Sequence, residues 1–310
     1  MDQATHLRKI VKEESGKVHR LKKKNEYMSL PETDSPKVFA ITSGKGGVGK
    51  TNVVGNLAIA YQRMGKKVLI FDADLGLANI DIIFGINPKY TIEEVINGKK
   101  ELSQIIVNGP EGVAIIPAAS GVRELAHLSE GHKINLLNEF DILNSMFDIL
   151  LIDTSAGISS NVIYFNLAAQ ERIVVVTPEP TSITDAYALM KLMFNQHGTD
   201  NFLILLNMVK SEAEAKSVYR HLSRVIDKFM SSISIDYAGY IPWDNCLYEA
   251  VSKRMPVTCC YPESPSSHSF KTLAENMLNQ VNSRANDGNI KFFWRRLMAG
   301  DVEKRHECRG

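Results

Sequence analysis

Ser43-Gly44-Lys45-Gly46-Gly47-Val48-Gly49-Lys50-Thr51, entered directly from the apolar run Val38-Phe39-Ala40-Ile41-Thr42, is the stretch whose reading decides the fold. Positions 44–51 satisfy GxxxxGK[ST] behind a strand-like run and ahead of an amphipathic stretch, Asn52–Met64, closed by Gly65. That strand–loop–helix context is what the phosphate-binding motif requires. Its glycines let successive backbone N–H groups turn inward, and the following helix adds its positive N-terminus. On this reading Gly44, Lys45, Gly46, Gly47, Val48, Gly49, Lys50, Thr51 and Asn52 line the phosphates of a nucleotide. Lys50 reaches the β- and γ-phosphates, and the Thr51 hydroxyl takes Mg²⁺.

Working outward, short apolar runs alternate with helical patterns. Further strand candidates are Val68–Asp72, Val113–Pro117, Ile149–Asp153, Ile173–Thr177, Phe202–Asn207 and Tyr237–Ile241; helical stretches include Thr181–Phe194 and Glu212–Met230. Strands apolar on both faces, separated by helices, predict an α/β fold: a doubly wound, mostly parallel sheet with helices on both faces. Ligands in such sheets sit at the carboxyl ends of the strands, where the phosphate loop falls. The organisation expected is a polar N-terminal motif and linker over 1–35, a nucleotide-binding domain over 36–284 and an amphipathic tail over 285–310.

Composition narrows the function classes. Lys plus Arg number 36 against 35 Asp plus Glu, without the basic excess of a protein that wraps duplex DNA. The four cysteines, Cys246, Cys259, Cys260 and Cys308, match neither a CxxC pair nor a zinc framework and read as reduced thiols. A charged start, Met1-Asp2-Gln3, is no signal peptide, and no apolar run nears the ~20 residues that span a bilayer. A cytoplasmic or peripheral membrane protein is expected.

Lys45 adds a second lysine near the start of the loop, and KGGxGKT resembles the deviant Walker A motif of the MinD/ParA ATPases. The resemblance implies ATP and ADP as ligands with Mg²⁺, and a homodimer formed with ATP in which Lys45 reaches the partner's phosphates. Two acidic clusters follow strands. Asp72-Ala73-Asp74-Leu75-Gly76-Leu77-Ala78-Asn79-Ile80-Asp81 resembles the family's first switch, which casts Asp74 as the residue positioning the attacking water and Asp72 as a support for metal and switch. Asp153-Thr154-Ser155-Ala156-Gly157 is similar to the second switch, whose aspartate holds Mg²⁺ through water. An aspartate alone is more often a turn or helix cap; two clusters in order after two strands favour the site for Asp74 and Asp153. Pro178-Glu179-Pro180-Thr181-Ser182-Ile183-Thr184-Asp185 resembles the PExxSxxD segment beside the dimer interface, which implicates Glu179 and Asp185. Asn207 stands where the family reads the adenine edge, and Ile241-Pro242-Trp243-Asp244 resembles the loop on the adenine, which implicates Pro242 and Asp244. The final helix is expected after Pro262-Glu263-Ser264-Pro265-Ser266-Ser267.

The two ends point to one branch of that family. Asp2-Gln3-Ala4-Thr5-His6-Leu7-Arg8 is similar to the DQAxxLR segment of FlhG-type regulators of flagellar number, which implies stimulation of the GTPase FlhF through Asp2, Gln3, Ala4, Leu7 and Arg8. At the other end Ile290, Phe293, Trp294, Leu297 and Met298 share one helical stripe with Lys291, Arg295 and Arg296 opposite, a pattern suited to anionic membrane lipid. Nine residues make a weak free helix, so two copies in a dimer would hold a membrane far better than one. The resemblance further implies flagellar switch or C-ring components as partners, a flagellar transcription activator in some relatives, no specific DNA, and residence on the inner face of the cell membrane, including its pole, when ATP is bound. Three other readings stay open: a MinD-type regulator of division-site placement, a ParA-type partition ATPase, and an iron–sulfur carrier. The last needs paired cysteines mid-domain, and residues 1–245 hold none.

Overall fold

Continuous burial along the central strands sets the architecture. In the computed structural model, residues 36–74, 79–117, 145–230 and 232–282 are described, with positions 139 and 143 between them. β1 (Lys37–Ser43) and β2 (Val68–Ala73) are buried along their length apart from Lys37, as strands covered on both faces must be. They join β3 (Val107–Asn108), β4 (Ala114–Ile116), β5 (Ile149–Ala156), β6 (Glu171–Val176), β7 (Asn201–Val209) and β8 (Ser234–Pro242) in one sheet of order β3-β4-β2-β5-β1-β6-β7-β8. Every pairing is parallel except the β3–β4 edge. The expected mostly parallel, doubly wound sheet is the one observed.

Alternate residues of β1 face different helices. Phe39 and Ile41 pack with α1 (Lys50–Arg63) and with Phe270, Leu273 and Met277 of α10 (Pro265–Asn282). Val38 and Ala40 point to the other face, where α3 (Ile92–Ile96), α4 (Leu102–Ile105) and α5 (Ser160–Ala168) cover the β2 side. On that same face α6 (Pro180–His197) and α7 (Glu212–Phe229) cover β6 and β7. A buried polar clip fastens α1 to α9 (Val257–Cys260): the Asn56 carbonyl oxygen accepts both the N–H and the hydroxyl of Thr258, each at 3.0 Å.

Several boundaries move for identifiable reasons. β6 begins at Glu171 and ends at Val176, because the Thr177 N–H turns out of the ladder to the Ser182 hydroxyl at 3.0 Å. β5 runs on to Ala156, paired with Ser43, and the Gly157 N–H continues to the Ser43 carbonyl at 2.9 Å. The last helix starts at Pro265, inside the stretch expected to precede it, because Pro suits a first helical turn and the Asp244 carboxylate caps Ser266. The two-residue antiparallel β3 was not expected; it is too short to carry a pattern. Calls on the N-terminal segment 2–8, on 75–78 of the first acidic cluster and on the tail 290–298 lie outside the described residues.

Candidate functional site

The sheet order assembles the site. β5 inserts between β1 and β2, so Asp153 stands in register with Ile41 on one side and Asp72 on the other, just below the phosphate loop that leaves β1. The reversal of strand order around β1, with β2 and β5 on one side and β6 on the other, lies at this carboxyl edge, where such sheets open a crevice.

The loop is shaped by positions that exclude side chains. Gly47 and Gly49 hold φ of 78° and 90°, in the left-handed region that favours glycine. A Cβ on Gly44 would overlap the Asp185 backbone, so α6 passes directly over the start of the loop. The buried Lys50 ammonium donates to the Ser43 hydroxyl at 2.9 Å, and that hydroxyl donates to the Lys45 carbonyl at 2.7 Å. Ser43 thus holds Lys50 curled back under the loop, a role its place before the first glycine did not announce. Burial lowers the Lys50 pKa, while Asp153 and then Asp74 work to raise it.

The carboxylates are in unlike surroundings. Asp153 is fully buried, and neither carboxylate oxygen has a hydrogen-bond partner of ordinary geometry. Burial pushes its pKa up to about 7; the Thr51 hydroxyl and Lys50 pull in the opposite direction. Asp72 is also pushed well above the usual carboxylate range, by burial and then by Asp153. It accepts from the Asp74 N–H at 3.2 Å and from the Ile80 backbone, fastening both sides of the first switch. Asp74 is only partly buried, and one of its oxygens accepts from the Ser155 hydroxyl at 2.8 Å. The two acidic clusters, 81 residues apart, are therefore joined through a serine that sequence reasoning quoted without a role.

An orphaned buried carboxylate facing a hydroxyl at the foot of a phosphate loop fits a divalent cation. Among the described residues no group of three or more His, Cys, Asp or Glu is placed to hold a metal. Mg²⁺ is commonly bound through one or two protein oxygens plus phosphate and water. Thr51 and Asp153 are the residues that would hold it, and Asp72, in register beside Asp153, accepts from the backbone of Asp74 and Ile80.

The Lys45 ammonium is paired with Glu179 and donates to the Thr181 hydroxyl at 2.9 Å. Two residues expected at a dimer interface, Lys45 and Glu179, thus meet within one chain, and the third, Asp185, abuts Gly44. At the far side Asn207 is buried, and its amide donates to the Val48 carbonyl at 2.7 Å. Asp244 caps two helices: one oxygen accepts from the Cys246 N–H at the start of α8 (Asn245–Ser252), the other from the N–H and hydroxyl of Ser266 in α10. Burial works to raise its pKa, but these bonds outweigh it and hold the carboxyl below its ordinary value. Both oxygens are thus committed inside the protein, and Asp244 fixes the turn that follows Pro242 at the end of β8.

Comparison with known proteins agrees with this geometry. The family model described as ParA, NUBPL iron-transfer P-loop NTPase, matches residues 35–278. The chain is 43% identical over 84% of its length to antiactivator FleN of Pseudomonas aeruginosa, covering 93% of that protein. It is 33% identical over 89% of its length to the flagellum site-determining protein YlxH of Helicobacter pylori, covering 94% of it. Among solved structures, the septum site-determining protein MinD complexed with Mg-ADP from Pyrococcus horikoshii OT3 matches with a TM-score of 0.61 and 26% identity, over 81% of this chain and 100% of that one.

Proposed function

The chain belongs to the ParA family of nucleotide-hydrolysing P-loop NTPases, with MinD-like and FleN/YlxH relatives, and from that premise we propose that it is an ATP-driven dimerising switch that sets flagellar number and placement. The observation that carries the reading is the joined pair of switches, Ser155 to Asp74, set beside a complete phosphate loop.

In this proposal the loop amides and Lys50 cradle the triphosphate, and Asp74, held by Ser155, orients the attacking water. Thr51 and Asp153 are the residues that would hold Mg²⁺, which when bound would supply positive charge against that developing on the phosphates. Asn207 offers its carbonyl oxygen to the adenine amino group while its amide stays on Val48, and Pro242 closes over the base. Lys45 swings from Glu179 and Thr181 to the phosphates of a second protomer. The Lys45–Glu179 pair is largely exposed, with side-chain exposures of 36% and 61%, and such a pair contributes only about 0–1 kcal/mol. Its release is a small barrier to dimerisation. The iron transfer in the family model's description gains no support from the cysteines: none precedes residue 246, and none joins a metal cluster among the described residues.

The flagellar role rests on the named relatives and on residues 2–8. We predict that a peptide of residues 1–20 stimulates GTP hydrolysis by FlhF, and that the Gln3→Ala peptide binds FlhF without stimulating it. An FlhF turnover unchanged by the wild-type peptide would leave a division-site regulator as the better reading. The stripe Ile290, Phe293, Trp294, Leu297 and Met298 is proposed to hold ATP-bound dimers on anionic lipid; no helix among the described residues is long and apolar enough to cross a membrane. Deleting residues 290–310 should leave ATP hydrolysis intact while the protein no longer sediments with anionic vesicles. Equal sedimentation with and without the tail would refute the membrane half of the proposal.

A further inference from the structure

Met208 has no task in the mechanism above, yet its backbone is in an uncommon conformation. Its φ is 59°, left-handed, where an unbranched side chain with a Cβ is disfavoured. It sits where the β7–β8 pairing slips: Asn207 pairs with Ile241 and Val209 with Pro242, leaving Met208 without an opposite number. Such a bulge re-aims a side chain and is common beside functional sites. Pro242 supplies no N–H there, and the ladder resumes where the Trp243 N–H donates to the Val209 carbonyl at 2.8 Å.

The side chain re-aimed by this bulge reaches the phosphate loop. Its terminal methyl lies 3.4 Å from where a Cβ on Gly49 would stand, and the Asn207 amide nitrogen lies 2.5 Å from the same point. Gly49 itself has φ of 90° and is the residue from which α1 departs, immediately before Lys50. The bare face of this glycine is thus filled by two consecutive residues of β7. Asn207 supplies a hydrogen bond to Val48, and Met208 supplies a flexible, polarisable contact. Backbone in a disfavoured region persists only where its surroundings over-determine it.

We propose that Met208 is a positioning residue of the nucleotide site: its left-handed backbone is retained because it presses the thioether side chain against Gly49 and keeps the loop in its phosphate-binding shape. The inference rests on the nucleotide-binding reading and deepens it. It attributes to one side chain a share of the affinity that the loop sequence alone does not contain.

The test uses the full chain and titrates mant-ADP and mant-ATP, with melting temperatures measured alongside. Met208→Gly removes both the backbone strain and the contact. It should melt higher than the wild type or unchanged, yet bind both nucleotides about tenfold more weakly, the scale of one lost side-chain contact. Met208→Ala should lose affinity to a similar extent, and Met208→Leu, of nearly equal volume, should restore most of it. A Met208→Gly protein that is at least as stable as the wild type and binds nucleotide equally well would overturn the proposal, because the strain would then serve only the fold. If the wild type bound neither nucleotide, the nucleotide reading would fail first and this inference with it.

Discussion

Lys50→Ala protein is expected to lose at least about a hundredfold in ATP affinity, because two or more charge-assisted hydrogen bonds to phosphate disappear at about 1.5–3 kcal/mol each. The loss is larger than for a surface lysine. Lys50 is only 8% exposed and held by Ser43, so water cannot cheaply replace its ammonium. The same change takes a compensating positive charge from the buried Asp153, so the variant should also be less stable. Titration with mant-ATP, backed by a melting curve without nucleotide, separates the two effects. A folded variant whose affinity falls less than tenfold would show that Lys50 is not the phosphate ligand.

The second large effect falls on turnover. Asp74→Ala should bind ATP but hydrolyse it about 10²–10⁴-fold more slowly, the usual contribution of a positioned acid–base or water-orienting group. Asp74 is partly buried and is tied to the second switch by Ser155, while the phosphates are gripped by the loop amides and Lys50. Binding and chemistry should therefore separate, and the variant should accumulate as an ATP-bound dimer in sizing chromatography. A monomeric Asp74→Ala protein that fails to retain ATP would count against Asp74 as the residue that orients water.

The phosphate loop was legible because its geometry is a local matter: left-handed backbone at positions 47 and 49 requires glycine, and the lysine and threonine follow at fixed spacing. Strands buried on both faces were legible as continuous apolar runs, with ends shifted by a few residues, as where Ser182 captured the Thr177 N–H or Ser43 extended the pairing of β5. α5 was not foreseen, because its nearly uniform apolar composition carries no helical stripe. Ser43 and Ser155 were present in quoted motifs, but nothing in a serine's neighbours along the chain says which distant group it will hold. Met208 carried no signal: a methionine with φ of 59° is visible only once its strand pairing slips.

What the amino-acid sequence determined by itself was the chemistry at each strand end and the fold class, since glycine spacing, strand apolarity and helical amphipathicity act within a few residues. Only the tertiary structure decided which of those groups meet. Asp74 reaches Ser155 across 81 residues, Lys45 reaches Glu179 across 134, and Asn207 reaches Val48 across 159. These meetings follow from the insertion of β5 between β2 and β1 and from the pairing of β6, β7 and β8 on the other side of β1. Strand order is selected by how several helices share two faces of one sheet, a balance of packing over the whole core that no short stretch of chain encodes.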